Sequence, residues 1–181
     1  RLTGSSRYPA RPDGFGALPD PVRDELRRRE SVNSATLLLE ARGHALEGRD
    51  AEAAVAVERA LLADPDSVAA LVISARMLAE AGRLEDARAR LERAIGLDEE
   101  NSGARVELAT VYVLTGRVEP AIEMLRQSLS IDSEQAHVKF KLAGLLMRTG
   151  RVDEAVELLR EAQAALPDDE EIRSKLVGVL T

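Results

Sequence analysis

The chain has no cysteine and no tryptophan. Without thiols there is no zinc finger, no iron–sulfur cluster, no Cys nucleophile and no disulfide framework to consider. The redox compartment stays open, because secreted proteins also fold without cysteine. Aromatic residues are 2% of the chain and amount to Tyr8, Phe15, Tyr112 and Phe140. That is too few rings for the stacking platforms that hold single-stranded nucleic acid. Positive charge is in deficit as well, with 25 Lys and Arg against 32 Asp and Glu and a net charge of −7. A surplus of carboxylates argues against nucleic acid as a partner. No apolar run approaches the ~20 residues a membrane-spanning helix needs. Catalytic signatures are missing too: there is no G-x-S-x-G, no P-loop, and no glycine-rich dinucleotide turn after a strand. The sequence therefore reads as non-enzymatic and calls for no cofactor.

Metal ligation finds no support in the motifs. His44 and His137 stand 93 residues apart, and neither has a partner at ligand spacing. The stretch Asp98–Gly103 has the carboxylates of a calcium loop, but its twelfth position is Ala109, where a bidentate Glu is required. Helix capping between structural units is the better reading of these acids.

What is present suits a globular chain: 181 residues, 45% apolar and 31% charged, enough for one domain. Arg outnumbers Lys by 22 to 3, which suggests a GC-rich, bacterial source. The chain starts at Arg1 rather than Met, so a processed chain or a fragment is expected, with no signal segment remaining. A soluble protein is expected, cytoplasmic or extracytoplasmic.

The dominant feature is a 34-residue period. Gly48, Gly82, Gly116 and Gly150 follow one another at that spacing, each with Arg directly after it. Small residues keep the same register: Ala41, Ala75, Ala109 and Ala143 before the glycines, then Ala53, Ala87, Ala121 and Ala155, then Ala60, Ala94, Ser128 and Ala162. Apolar residues recur at helical spacing on both sides of each glycine, as in Val106, Leu108, Val111, Leu114 and Val118, Ile122, Leu125, Leu129. The glycine supplies the left-handed residue that ends the first helix. Each period thus predicts an antiparallel helix hairpin. Its apolar face can be buried only by stacking on the next hairpin, which makes a solenoid.

The pattern resembles the tetratricopeptide repeat family: a small residue at position 8, Gly at 15, Ala at 20, an apolar residue at 24, Ala at 27 and Pro at 32. The matched units are 34–67, 68–101, 102–135 and 136–169, with Val57, Leu91, Leu125 and Leu159 at position 24. Position 4, often aromatic in the family, is Leu37, Leu71, Arg105 and Lys139, and the tyrosine of position 11 survives only as Tyr112. The resemblance implies an all-α, right-handed solenoid of four helix-turn-helix repeats.

The flanks break the period. Residues 1–20, with Pro9, Pro12, Pro19, Gly4, Gly14 and Gly16, read as an irregular arm. Its apolar anchors, Tyr8, Phe15 and Leu18, are expected to dock on a neighbouring copy. Asp20 and Pro21 open a short helix to about Glu30, followed by a linker to residue 33, with Val22 and Leu26 as its apolar side. Residues 170–181 are expected to form a capping helix whose inner stripe is Ile172, Leu176, Val177 and Leu180.

The resemblance also implies a binding surface, the concave groove lined by first-helix positions 2, 5, 9 and 12. The candidates are Leu38, Val72, Val106 and Phe140 at position 5, Arg42, Arg76 and Thr110 at position 9, and Val113 and Met147 at position 12. Family members that grip the C-terminal carboxylate of heat-shock chaperones use Lys and Asn at positions 5 and 9 of the first repeat, and Asn at position 6 of the next. Leu38, Arg42 and Ile73 stand there instead, so no carboxylate clamp is expected. The acids between repeats (Asp64 and Asp66; Asp98, Glu99 and Glu100; Asp132 and Glu134; Asp168–Glu171) have two readings. They are helix-end chemistry, or an acidic ridge for a basic partner or divalent cations. The leading expectation is a scaffold that binds a protein or peptide segment in an apolar groove. The alternatives are a self-assembling repeat protein, with other copies of itself as partner, and a regulatory domain of a larger protein.

Overall fold

A computed structural model describes the backbone of residues 21–180 and the side chains of residues 33–179. Nine helices and no strand occur among the described residues: α1 (Pro21–Leu46), α2 (Asp50–Ala63), α3 (Val68–Glu80), α4 (Leu84–Leu97), α5 (Ser102–Leu114), α6 (Val118–Ile131), α7 (Ala136–Arg148), α8 (Val152–Ala165) and α9 (Glu170–Leu180). They pair in chain order as α1 with α2, α3 with α4, α5 with α6 and α7 with α8, and each pair packs on the next. No helix among the described residues is long and apolar enough to cross a membrane.

The turn inside each hairpin is the same object four times. Gly48, Gly82, Gly116 and Gly150 have φ of 72°, 77°, 75° and 79°. In the third hairpin the Gly116 N–H donates to the Val113 carbonyl at 3.0 Å, and the Arg117 N–H to the Tyr112 carbonyl at 2.8 Å. These two bonds make the Schellman closure, which satisfies carbonyls that a helix end leaves orphaned. The other three glycine–arginine pairs make the same two bonds. A Cβ on any of the four glycines would meet no atom within 4 Å, so only the backbone conformation demands glycine there.

Between hairpins the acids close the chain differently. Asp64, Asp98 and Asp132 each end a second helix, and each Oδ1 accepts the N–H two residues on at 3.1–3.2 Å. The next helix then starts on a side-chain cap: Asn101 Oδ1 accepts from Ala104 N at 2.8 Å, and Asp169 Oδ1 from Ile172 N at 3.0 Å. Four of the acids expected at these turns thus hold the chain reversal itself.

Burial follows the period. The alanines at positions 8 and 20 and the small residues at position 27 are all buried, as are Val57, Leu91, Leu125 and Leu159. Ser128, where the other repeats have Ala, loses its polarity problem by donating its hydroxyl to the Ser102 carbonyl at 3.2 Å. On the outer face, ion pairs join neighbouring repeats: Arg90 with Glu58 at 2.7 Å, Arg93 with Asp66 at 2.7 Å, Arg126 with Glu154 at 2.6 Å and Arg151 with Glu119 at 2.5 Å. Such exposed pairs contribute about 0–1 kcal/mol each, so they tune the stack rather than hold it.

Two expectations at the ends are corrected. The short helix and linker over residues 21–33 do not exist as separate parts, because α1 runs unbroken from Pro21 to Leu46. Asn33 occupies the register of the caps Ser67, Asn101 and Asp169. The stretch before it, Val22–Val32, contains no Gly or Pro and is rich in Arg and Glu, so nothing stops the helix. In α9, Ile172 and Leu176 are buried, but Val177 is 57% exposed, and Val179 takes the inner place. The stripe thus steps by four and then three, as a helix requires; the Leu180 side chain lies outside the described residues.

Gly116→Val should destabilise the protein by more than ~1 kcal/mol through the left-handed backbone alone, and Gly116→Asn by clearly less. Ala121→Leu should cost ~1–3 kcal/mol by overpacking. Urea unfolding followed by circular dichroism reads both, and an unchanged midpoint for Ala121→Leu would contradict the close hairpin packing.

Candidate functional site

The first helix of every hairpin buries one stripe against its partner and turns the opposite stripe away. Position 2 is four residues before position 6, and position 9 is three after it, so 2, 6, 9 and 13 share that outward stripe, with 5 and 12 on its flank. The structure fits this geometry. Leu38, Val72, Val106, Val113, Phe140 and Met147 are half-buried, each packed against a core cluster. Arg42, Arg76 and Thr110 are exposed. The Thr110 hydroxyl is already committed, donating to the Val106 carbonyl at 3.1 Å. The Lys175 ammonium stands 5.8 Å from the centre of the Phe140 ring, within cation–π range.

Positions 6 and 13 were missed by sequence reasoning. They carry Leu39, Ile73, Glu107 and Lys141, then Leu46, Glu80, Leu114 and Arg148. Leu39 is 69% exposed and Leu46 80%. The helical step from positions 2 and 9 is the signal that would have found them.

A hollow of about 1010 Å³ opens between α1, α2 and α3. It brings together Leu38, Leu39, Arg42, Ala45, Arg76 and Met77, with Asp50 and Glu80 also on its wall. Three of the expected or newly found inner-face residues of the first repeat, Leu38, Leu39 and Arg42, therefore share one cavity with Arg76 of the second. Val72 of the second repeat is not on its wall, and the candidates from Val106 to Met147 belong to the third and fourth repeats and continue the same face. Tyr8, Phe15 and Leu18 lie outside the described residues.

The arginines after the glycines take other partners than their nearest acids. Arg49 pairs with Glu47, Arg83 with Asp86 at 2.6 Å and Arg151 with Glu119 at 2.5 Å, while Arg117 lies 4.6 Å from the centre of the Tyr112 ring. On α4, the hydrogen bond that Arg88 donates to Glu85 and then the charge of Glu92 raise the Arg88 pKa above its ordinary value. His137 is exposed; His44 is half-buried, and its Nδ1 has no hydrogen-bond partner among the described residues. No group of three or more His, Asp or Glu among the described residues is placed to hold a metal ion.

Two sequence models, both described as tetratricopeptide repeat, match the chain, one over residues 38–102 and the other over 78–128 and 120–177. A comparison with curated protein sequences gives no match. Among solved structures, MamA superposes with a TM-score of 0.68 at 20% identity, covering 77% of this chain and 81% of MamA. The Cut9–Hcn1 hetero-tetramer of the APC/C gives 0.74 at 17% identity, over 82% of this chain and 30% of the matched one. Pseudomonas aeruginosa pilF gives 0.69 at 23% identity, over 80% of this chain and 66% of its own. At these identities the likeness is one of fold.

The half-burial of Val72 separates it from its exposed neighbour. Val72→Asp should cost ~1–3 kcal/mol of stability, because a carboxylate enters a packed apolar edge. Arg76→Ala should stay within about 0.5 kcal/mol. Denaturant unfolding of the two variants side by side checks the assignment, and equal stabilities would contradict it.

Proposed function

Because the chain belongs to the tetratricopeptide repeat family, we propose that it is a non-catalytic scaffold that seats a segment of a partner protein along the inner face of its first helices. The observation that carries this reading is the apolar hollow beside α1. Leu39 on its wall is exposed instead of being used by the core, and Leu46, off the wall of the hollow, is exposed farther along the same stripe. Leu39 and Leu46 show most of their surface to solvent although nothing in the hairpin needs them there. A large apolar side chain gains roughly 1.5–3 kcal/mol on full burial, so a ligand that covers both has a ready source of affinity. The shape suits a helix or an extended segment laid across successive first helices. Cut9, whose fold is similar, occurs in a hetero-tetramer with Hcn1, a precedent for this kind of scaffold.

The outer face supplies an internal control. Val55 and Leu62 of α2 are also exposed, at 60% and 82%, but they stand on the side of the second helices, away from the hollow. Proteins captured from cells of the source organism by the wild-type chain should be lost with Leu39→Gln plus Leu46→Gln. They should be retained with Val55→Gln plus Leu62→Gln, with helicity unchanged in both. The reverse pattern would move the site to the outer face. A mass in light scattering that grows with concentration, abolished by the inner-face pair, would favour self-assembly instead.

A further inference from the structure

Rings, carboxylates or backbone carbonyls take up most of the described cations. Arg83, Arg90, Arg93 and Arg126 are among those paired with acids on the outer layer, and Lys139 is bound to Glu161 at 2.8 Å. Arg105 reaches the Asn101 carbonyl, and Arg117 and Lys175 lie over rings. Among the described residues, four cations have no such partner: Arg42, Arg76, Lys141 and Arg148. All four stand on the inner stripe, at positions 9, 9, 6 and 13 of their repeats. The stripe has two carboxylates of its own, Glu80 and Glu107, and Asp50 stands at the rim of the hollow. Thus, among the described residues of a chain of net charge −7, the unmatched positive charge stands on one face.

That face is also graded along its length. Position 6 reads Leu39, Ile73, Glu107, Lys141, and position 13 reads Leu46, Glu80, Leu114, Arg148. Aliphatic surface is concentrated at the first repeat, while of the four unmatched cations Arg42 and Arg76 line the hollow and the pair Lys141 and Arg148 stands at the fourth repeat. Complementary charge sets partner choice and orientation more than it sets raw affinity. From this we propose, resting on the scaffold reading above, that the partner segment is acidic and aliphatic. Its aliphatic residues lie over Leu39 and Leu46, and its carboxylates lie toward Lys141 and Arg148. The chain's own arm is a poor occupant, since residues 1–20 carry Arg1, Arg7 and Arg11 against Asp13 and Asp20. The acidic turns of a second copy are poor occupants too, because Asp132 and Asp169 are committed to their own backbone.

The test is fluorescence anisotropy with a labelled synthetic peptide that has leucines in one half and glutamates in the other. Matched peptides carry Gln or Lys in place of each Glu. The Glu peptide should bind, weaken as salt is raised, and bind at least ~10-fold tighter than the Gln peptide. Lys141→Glu with Arg148→Glu, both exposed and outside the core, should remove that preference while leaving the melting curve unchanged. No binding of the Glu peptide, equal binding of the Glu and Gln peptides, or tighter binding of the Lys peptide would each overturn the proposal. Partner capture that is lost with Leu39→Gln plus Leu46→Gln but unaffected by Lys141→Glu plus Arg148→Glu leaves the scaffold reading standing and rejects the acidic segment. Peptide-free self-association that the charge-reversed variant abolishes makes a second copy the occupant and rejects it as well.

Discussion

The close approach of two helices across an alanine contact is the constraint from which the rest follows. Ala75, Ala87 and Ala94 are fully buried in the second hairpin, and their counterparts are buried in the others. With only a methyl group at these places, the helix pair comes close enough for Leu91 to be enclosed. A longer side chain there would push the pair apart and open the core. The short, glycine-closed turn follows, since a closely paired hairpin needs an abrupt reversal between its helices. Stacking follows too, because a pair held together mostly by small residues buries little apolar surface alone and depends on its neighbours. The core is thus a series of linked clusters along the stack instead of a single centre.

This division of labour leaves a face free for function. The stripe that binds the hairpin together and the stripe that looks outward are separate registers of the same helix, so the outward one can vary without harming the fold. In this chain it varies from Leu39 and Leu46 to Lys141 and Arg148 while the buried alanines hardly change. Charge is divided the same way. Among the described residues, the outer layer pairs its arginines with acids, within a helix or between repeats, and the inner layer keeps cations unpaired.

Much of the fold was legible because each local rule was repeated. A single Gly-Arg pair says little, but Gly48, Gly82, Gly116 and Gly150 in one register fix the turn, its left-handed residue and the helices around it. Helices α3, α5 and α7 begin at Val68, Ser102 and Ala136, the residues at which the period had been set. What the sequence reading missed lay where repetition ends. Before α1 the described residues hold no hairpin to force a boundary, and a stretch of good helix formers carries the helix through Asn33. At α9 the choice between Val177 and Val179 depends on the angle at which the last helix meets α8, which no repeat specifies. The inner-face leucines were not legible from positions 2, 5, 9 and 12 alone, since the helical step also presents 6 and 13 on that face. Unmatched cations could not be seen in the sequence at all, since which arginine finds which carboxylate depends on packing between repeats, as with Arg151 and Glu119.

The central claim is that the inner stripe, and not the outer layer, meets the partner. The most direct measurement places a photo-reactive residue at Arg76, exposed at the hollow, and separately at Arg93, exposed on the outer layer. Irradiation in cells of the source organism should then join the chain to a distinct protein from the position of Arg76 and not from that of Arg93. Adducts from the position of Arg93 alone, or adducts only between copies of this chain, would contradict the account.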